Sequence, residues 1–348
     1  MPGNRDEKPG PADPWAVDAA DFPAAGTPTQ QLRFLLNYAV LAPSGHNSQP
    51  WLFDLGDGRV DVLADRSRRL PVVDPDDREL TISCAAAAET LVLAARQFGL
   101  TLGLAPFPEG PRSDLVARLE VTGNSTVPPS FAVLDAIRFR RTTRKAFDPD
   151  PLPDDLRAAC AAAAKEAGVS VVFAGDEATH HDIAELVAEG DRRQFDDPAF
   201  RGELAHWIRP RASPGRDGMS GAAFGMPDAL SGVGAFMIRT FDIGGMAASG
   251  DERKILEGSP VFMVLATPDD DPSDWVATGR ALADALVTLS AEGWTASYLN
   301  QPIEIAELRP RLKEALGIEA HPQLLLRVGR ADLPEPAARR PVDDVLVS

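Results

Sequence analysis

The chain has 348 residues, 44% hydrophobic and 25% charged, values of an ordinary globular protein with room for one large or two small cores. Its net charge of −17 argues against nucleic acid, whose phosphates need a basic face, but not against a small anion in one local basic pocket. No run of about 18 apolar residues is present, so no membrane span is expected, and the polar, acidic N-terminus lacks the pattern of a signal peptide. Cys84 and Cys160 sit far apart in Ala-rich helical runs and read as reduced and buried, as in a cytoplasmic protein. The five histidines show no metal-ligand spacing.

In chain order, residues 1–26 carry too little apolar surface to fold alone and are expected to form a disordered tail. Thr27 caps a helix with Leu32, Leu35, Leu36 and Ala39 on one stripe. Then comes Ala42-Pro-Ser-Gly-His-Asn-Ser-Gln-Pro-Trp51. Pro43 cannot continue a helix, and Ser44, Gly45, Asn47 and Ser48 are turn residues with polar groups to spare. Pro50 is expected to push Gln49 into an extended conformation. The stretch reads as a polar, donor-rich elbow between helix and strand. Trp51–Leu55 and Arg59–Leu63 alternate about a Gly/Asp turn, a β-hairpin. Residues 64–77 read as a surface connection. Leu80–Phe98 is a helix apolar on nearly all sides, hence buried, and its small residues allow another helix close. Gly99 ends it, and strands are expected at Leu100–Leu104 and Leu115–Val121.

Past Pro128-Pro129, a helix over Ser130–Phe139 leads into Arg138-Phe-Arg-Arg-Thr-Thr-Arg-Lys145. Helices are expected at residues 154–165, 176–195, 275–291 and 304–316, and strands at 168–173, 260–267 and 323–328. Arg209–Gly250 is rich in Gly, Ser, Met and Phe without period, including Met219, Phe224, Met226 and Phe241. So long an irregular stretch is usually a lid, a binding loop or disorder. Aligning Gly99 with Gly293 superposes the two small-residue helices, each followed by glycine and strand. That pattern suggests an internal duplication whose two copies pack these helices together as a pseudo-dimer.

Two stretches invite a ligand. Arginine guanidinium groups clamp phosphate bidentately, so Arg140-Arg-Thr-Thr-Arg144 is the foremost anion site, although from the run alone a solvated helix end is the commoner reading. Tyr298-Leu-Asn-Gln301 leaves a buried strand with two side-chain amides, which suit the donor and acceptor edge of a flat heterocycle; a plain strand-end turn is the simpler alternative. No P-loop, G-x-G-x-x-G, G-x-S-x-G or H-E-x-x-H motif occurs.

Together these stretches resemble one family. The elbow is similar to the A-P-S-x-x-N-x-Q-P-W segment of FMN-dependent nitroreductases, and residues 140–144 to their R-R-S/T-x-R run. The likeness covers most of residues 30–346 and is nearest the Acg-like branch, in which two nitroreductase-like halves share one chain. The resemblance implies an α+β fold of two pseudo-symmetric halves, each with a mixed or antiparallel sheet flanked by helices: residues 27–127, and residues 128–348 with a lid-like insertion at 209–250. It implies FMN held by Arg140, Arg141, Thr142 and Arg144, by Pro43, Ser44, Gly45 and Asn47 of the other half, by Tyr298, Asn300 and Gln301 beside the ring, and by Arg339 and Arg340 at the phosphate. The first half has the elbow without the arginine run and the second has the run without the elbow, so one FMN per chain is expected, with the mirror site degenerate. The pseudo-dimer lies within one chain, so a monomer would suffice. The implied activity passes hydride from NAD(P)H through the flavin to a small-molecule acceptor such as a nitroaromatic or quinone, with no side chain acting as acid or base. The alternatives are a protein that sequesters FMN beneath the insertion without turnover, and a flavin-free remnant.

Overall fold

The computed structural model describes residues 13–224, 226–240 and 244–347. Residues 1–12 of the expected tail, Phe241 and the side chain of Phe224 lie outside the description. The first helix, α1 (Pro28–Ala39), starts at a capping box in which Thr27 and Gln30 exchange side-chain and backbone hydrogen bonds. The elbow follows, then the hairpin of β1 (Trp51–Gly56) and β2 (Arg59–Ala64), registered from Trp51 against Ala64 to Gly56 against Arg59. Gly58 at the tip has φ +67°, which a glycine adopts without steric cost. After α2 (Arg78–Gln97), strands β3 (Leu100–Pro106) and β4 (Leu115–Asn124) complete an antiparallel sheet in the order β1-β2-β4-β3.

The remainder repeats that plan with additions. Helices α3 (Phe131–Phe139) and α4 (Asp154–Glu166) lead to β5 (Ser170–Ala174). Helices α5 (Glu177–Asp196), α6 (Pro198–His206), α7 (Ser231–Thr240) and α8 (Gly244–Gly258) precede β6 (Val261–Thr267), which is buried along its whole length. Then come α9 (Pro272–Ala291), β7 (Thr295–Tyr298), the short α10 (Gln301–Glu304) and α11 (Arg309–Ala315), and β8 (His321–Gly329). The second sheet, β5-β6-β8-β7, is antiparallel and has the same strand order as the first.

Helices α2 and α9 are each 20 residues long, and the Gly99–Gly293 alignment superposes their ends. They cross closely: a Cβ on Gly279 would lie 2.3 Å from the Ile82 carbonyl oxygen and 2.6 Å from the Ala85 Cβ. Their apolar faces join the cores beneath the two sheets. The two parts also trade backbone. Phe53 of β1 pairs in parallel with the segment around Leu346, donating to the Val345 carbonyl (2.7 Å) and accepting from the Val347 amide (2.9 Å).

Several expectations need correction. Residues 13–26 are not disordered: Asp13 and Asp18 cap two short 3-10 turns, and Phe22 stacks on Phe98 at 4.4 Å between ring centroids. Aspartate-capped turns and two aromatic anchors hold a segment too polar to form a core of its own. Within 209–250, much of the chain is helical, in α7 and α8; glycine and serine weaken the hydrophobic period there without preventing a helix supported by packing. Gln49 is not extended but left-handed, at φ +52°, because hydrogen bonds at both its backbone and its amide hold it. The connection at residues 64–77 is half inside, with Leu70, Val73 and Asp74 buried. No helix among the described residues is long and apolar enough to cross a membrane.

Candidate functional site

The elbow is wound tighter than turn residues alone require. His46, Asn47 and Gln49 all have positive φ, 51°, 54° and 52°, each costing on the order of 1–2 kcal/mol. The Asn47 amide N–H donates to the Ser44 carbonyl (3.1 Å) and the Gln49 amide N–H to Ser44 Oγ (2.9 Å). The Gln49 side chain accepts from the Arg340 amide (2.8 Å) and donates to the Arg216 carbonyl (2.8 Å). Gly45 sits where a Cβ would press on Leu70 at 3.1 Å. Pro43 is buried and stops α1 from running on.

Arginines from distant parts of the chain meet the elbow. Arg339 donates to Asn47 Oδ1 (2.6 Å) and to the Ala42 carbonyl (3.2 Å). Arg140 donates to the neighbouring Leu41 carbonyl (3.0 Å). The Arg141 guanidinium lies 4.0 Å from the Trp15 ring centroid, and that of Arg339 lies 5.3 Å from the same ring. Among the described residues, the hydrogen-bond partners of Arg140, Arg141 and Arg339 are carbonyl groups and Asn47, not carboxylates.

Like charges crowded out of water destabilise one another. Burial pushes Arg140 down; burial and then the Arg140 charge push Arg141 down to about 10; burial followed by the charges of Arg140 and Arg141 pushes Arg339 well below the usual arginine range. Burial raises the neighbouring Tyr298 phenol to about 12. Among the described residues, Tyr298 Oη and Arg339 Nε are buried with no hydrogen-bond partner, as are His46 Nε2 and Gln301 Oε1. Such orphans are costly in a finished interior and are expected where a polar ligand completes the set. A cavity of about 50 Å³ opens beside Arg140 and Arg141 against Leu286 and Trp294.

Asn47, Arg140, Arg141, Tyr298 and Arg339 therefore come together. Thr142 bridges to Ala296 at the edge of β7, which positions the arginine run on the second sheet. Arg144 lies at the rim, 3.3 Å from Met219 Sδ. Two amides turn elsewhere: Asn300 Nδ2 donates to Glu79 Oε1 (3.1 Å), and Gln301 Nε2 to Asp191 Oδ1 (3.0 Å). Arg340 does not join the cluster; its guanidinium donates to the Gln49 carbonyl (3.2 Å) and the Asp344 carbonyl (2.7 Å).

A strap from the insertion lies over the elbow. Gly218 and Asn47 exchange hydrogen bonds, from the Gly218 amide N–H to the Asn47 carbonyl (3.1 Å) and from Asn47 Nδ2 to the Gly218 carbonyl (2.8 Å). Gly218 has φ +74°, and a Cβ there would lie 2.5 Å from the Trp207 carbonyl oxygen. Next to it, buried Asp217 accepts from both Nη atoms of Arg68 (2.8 and 2.6 Å) and from Arg209 (2.7 Å). Trp15, Glu79 and Asp217 carry no motif of their own: Trp15 stands in a polar tail, and Glu79 and Asp217 are single acids in an acidic chain. A local hint was Glu79 in the first turn of a helix apolar on most sides.

With this geometry established, comparison with known proteins is informative. A model of the Nitroreductase family matches residues 137–330. The chain belongs to the nitroreductase family. A Mycobacterium tuberculosis protein provisionally named an NAD(P)H nitroreductase is 29% identical over 339 residues, 93% of this chain and 92% of the relative. The similarly named acg protein of that organism is 27% identical over 327 residues, 91% of this chain and 95% of its own. Among solved structures, the FMN and NADPH-dependent nitroreductase NfnB of a Sphingopyxis strain is 18% identical, with a TM-score of 0.41, over 62% of this chain and 98% of that one. The family match takes in the arginine run, α9 and Asn300; it begins after the elbow and ends before Arg339.

Proposed function

We propose that the chain is an FMN-dependent oxidoreductase formed by two duplicated halves, residues 27–127 and 128–348, with one flavin between them. The observation that carries this proposal is the convergence of buried Arg140 and Arg339 with half-buried Arg141, which lack carboxylate hydrogen-bond partners among the described residues. A phosphate dianion would relieve their mutual repulsion, each hydrogen bond to it contributing roughly 1.5–3 kcal/mol. The orphaned Tyr298 Oη and Arg339 Nε fit the same ligand. Bound FMN would supply hydride transfer from NAD(P)H to a nitroaromatic or quinone-like acceptor. The protein would supply position: Arg140 and Arg339 tie the phosphate side to the end of α1, Asn47 fixes Arg339, and Trp15 keeps water from Arg141.

A visible flavin spectrum of the purified protein that bleaches with NADPH under anaerobic conditions supports the proposal, and Arg141→Ala should release the flavin. A colourless protein that FMN does not reconstitute would sink it. A second reading, sequestration, is favoured by the strap, because Gly218 and Arg216 occupy the Asn47 and Gln49 side-chain amides. It expects bound FMN that exchanges slowly and resists NADPH until the strap is removed.

A further inference from the structure

Beneath the elbow lies a group of buried acids with no part in holding the cofactor. Glu79 opens α2, and its Oε1 accepts from Arg78 (3.0 Å) and from Asn300 Nδ2 (3.1 Å). Asn300 Oδ1 accepts from the Leu325 amide (3.1 Å), so the donor end of that amide is committed to Glu79. The second oxygen, Oε2, faces the elbow, 3.5 Å from where a Cβ on Gly45 would stand. Both Glu79 and Gly45 line a small cavity of about 10 Å³, room for about one water, with Ser48, Leu70 and Leu80. Glu304, at the end of α10, approaches from the other half and accepts from Gln194 Nε2 (2.5 Å). Around the pair stand Arg78 from the start of α2, Asp74 from the connection before it, Asp191 and Gln194 from α5, Gln301 from α10, Gln323 from β8, Tyr298 from β7, and Arg68 and Arg69 at the cavity rim.

We propose that Glu79 delivers a proton to the acceptor reduced at this site, with Asp74 tuning when that proton is available. The inference rests on the oxidoreductase reading above. Reduction of a quinone by NAD(P)H also consumes one proton: the nicotinamide loses a hydride, the quinone gains it, and one further O–H bond must form. The Glu79 O–H bond breaks as its proton passes, through a water in the cavity, to the substrate oxygen, where the new O–H bond forms. The resulting carboxylate faces Arg78 and the Asn300 amide, and solvent protons entering the cavity restore the acid. The proton is present at neutral pH because burial, countered by Arg78 and reinforced by Asp74, raises Glu79 to about 7. Glu304 is raised well above the usual carboxylate range by burial and then by Glu79. A carboxylic acid with a pKa near the working pH is well matched to general-acid duty.

The test has two arms. The first needs no turnover: infrared titration of the purified protein should show a carboxylic-acid band that disappears near pH 7 and is missing in Glu79→Gln. A band titrating in the ordinary carboxylate range overturns the proposal. The second reduces the flavoprotein with dithionite and follows reoxidation by p-benzoquinone in rapid mixing. Wild type should slow as pH rises through about 7, whereas Glu79→Gln should be slower by about 100-fold and flat with pH. Asp74→Asn removes the neighbouring charge that raises Glu79 and should move the descending limb to lower pH, which keeps the test alive if Glu79→Gln does not fold. Coloured variants with the wild-type pH profile overturn the proton role alone. A colourless wild-type protein sinks the cofactor reading, and the proton role with it.

Discussion

Asp217 is the place to ask whether the strap is a separable element. Its carboxylate is 3% exposed and accepts three hydrogen bonds from Arg68 and Arg209, whose side chains are 15% and 24% exposed. Asp217→Asn keeps the shape and one oxygen acceptor but removes the charge. Breaking a fully buried pair costs about 3–5 kcal/mol. Here water reaches both guanidinium groups, and a loss of roughly 2 kcal/mol is the better expectation. If the strap opens locally, that corresponds to about a 30-fold rise in the opening equilibrium. Hydrogen exchange read by mass spectrometry should show the rise at residues 207–219, including the Gly218 amide that donates to Asn47, with the strands of both sheets unchanged. Unaltered exchange in the strap, or equal acceleration in strap and sheets, would refute its independence.

Gly279→Ala should destabilise the whole chain by about 1–3 kcal/mol, because the added methyl must displace the Ile82 backbone; urea denaturation with an unchanged m-value checks this. Trp15→Ala should expose Arg141 and loosen the N-terminal segment, giving faster proteolysis before residue 26 while the melting temperature moves little. Burial, then the Arg144 charge, lowers His46 to about 4 from an ordinary value of 6.5. The unfolded chain therefore takes up this proton first, so stability present above pH 6.5 is lost as pH falls towards 4; His46→Gln should flatten that limb in pH-dependent melts.

Much of the fold was legible because its signals were local. The capping box at Thr27, the turn glycine Gly58 and the all-apolar faces of α2 and α9 each state their structure within a few residues. The shared strand order gives the proposed duplication a topological parallel that sequence identity could not supply. The site was only half legible. The elbow and the arginine run carry their chemistry in their residue types, but which side chains point inward depends on contacts hundreds of residues apart. Arg339 and Arg340 are adjacent and chemically identical, yet one faces the cluster and the other the Asp344 carbonyl. Pro50 biased Gln49 towards extension, and bonds to Ser44, Arg216 and Arg340 reversed that preference. Trp15 became readable only as the lid on a charge whose position was unknown from sequence.

The parallel pairing of Phe53 with the strand around Leu346 has a consequence for how the molecule is made. The elbow leaves the ribosome early, the arginine run after about a hundred more residues, and Arg339 and Val345 far later. At translation speeds of roughly 5–20 residues per second, the first sheet waits on the order of ten seconds or more with the β1 edge lacking its parallel partner. The Asn47–Arg339 hydrogen bond cannot form during that interval. Synthesis order thus separates the formation of the first core from the meeting of the elbow with Arg339, and under the proposed function FMN is captured only after Arg339 has emerged.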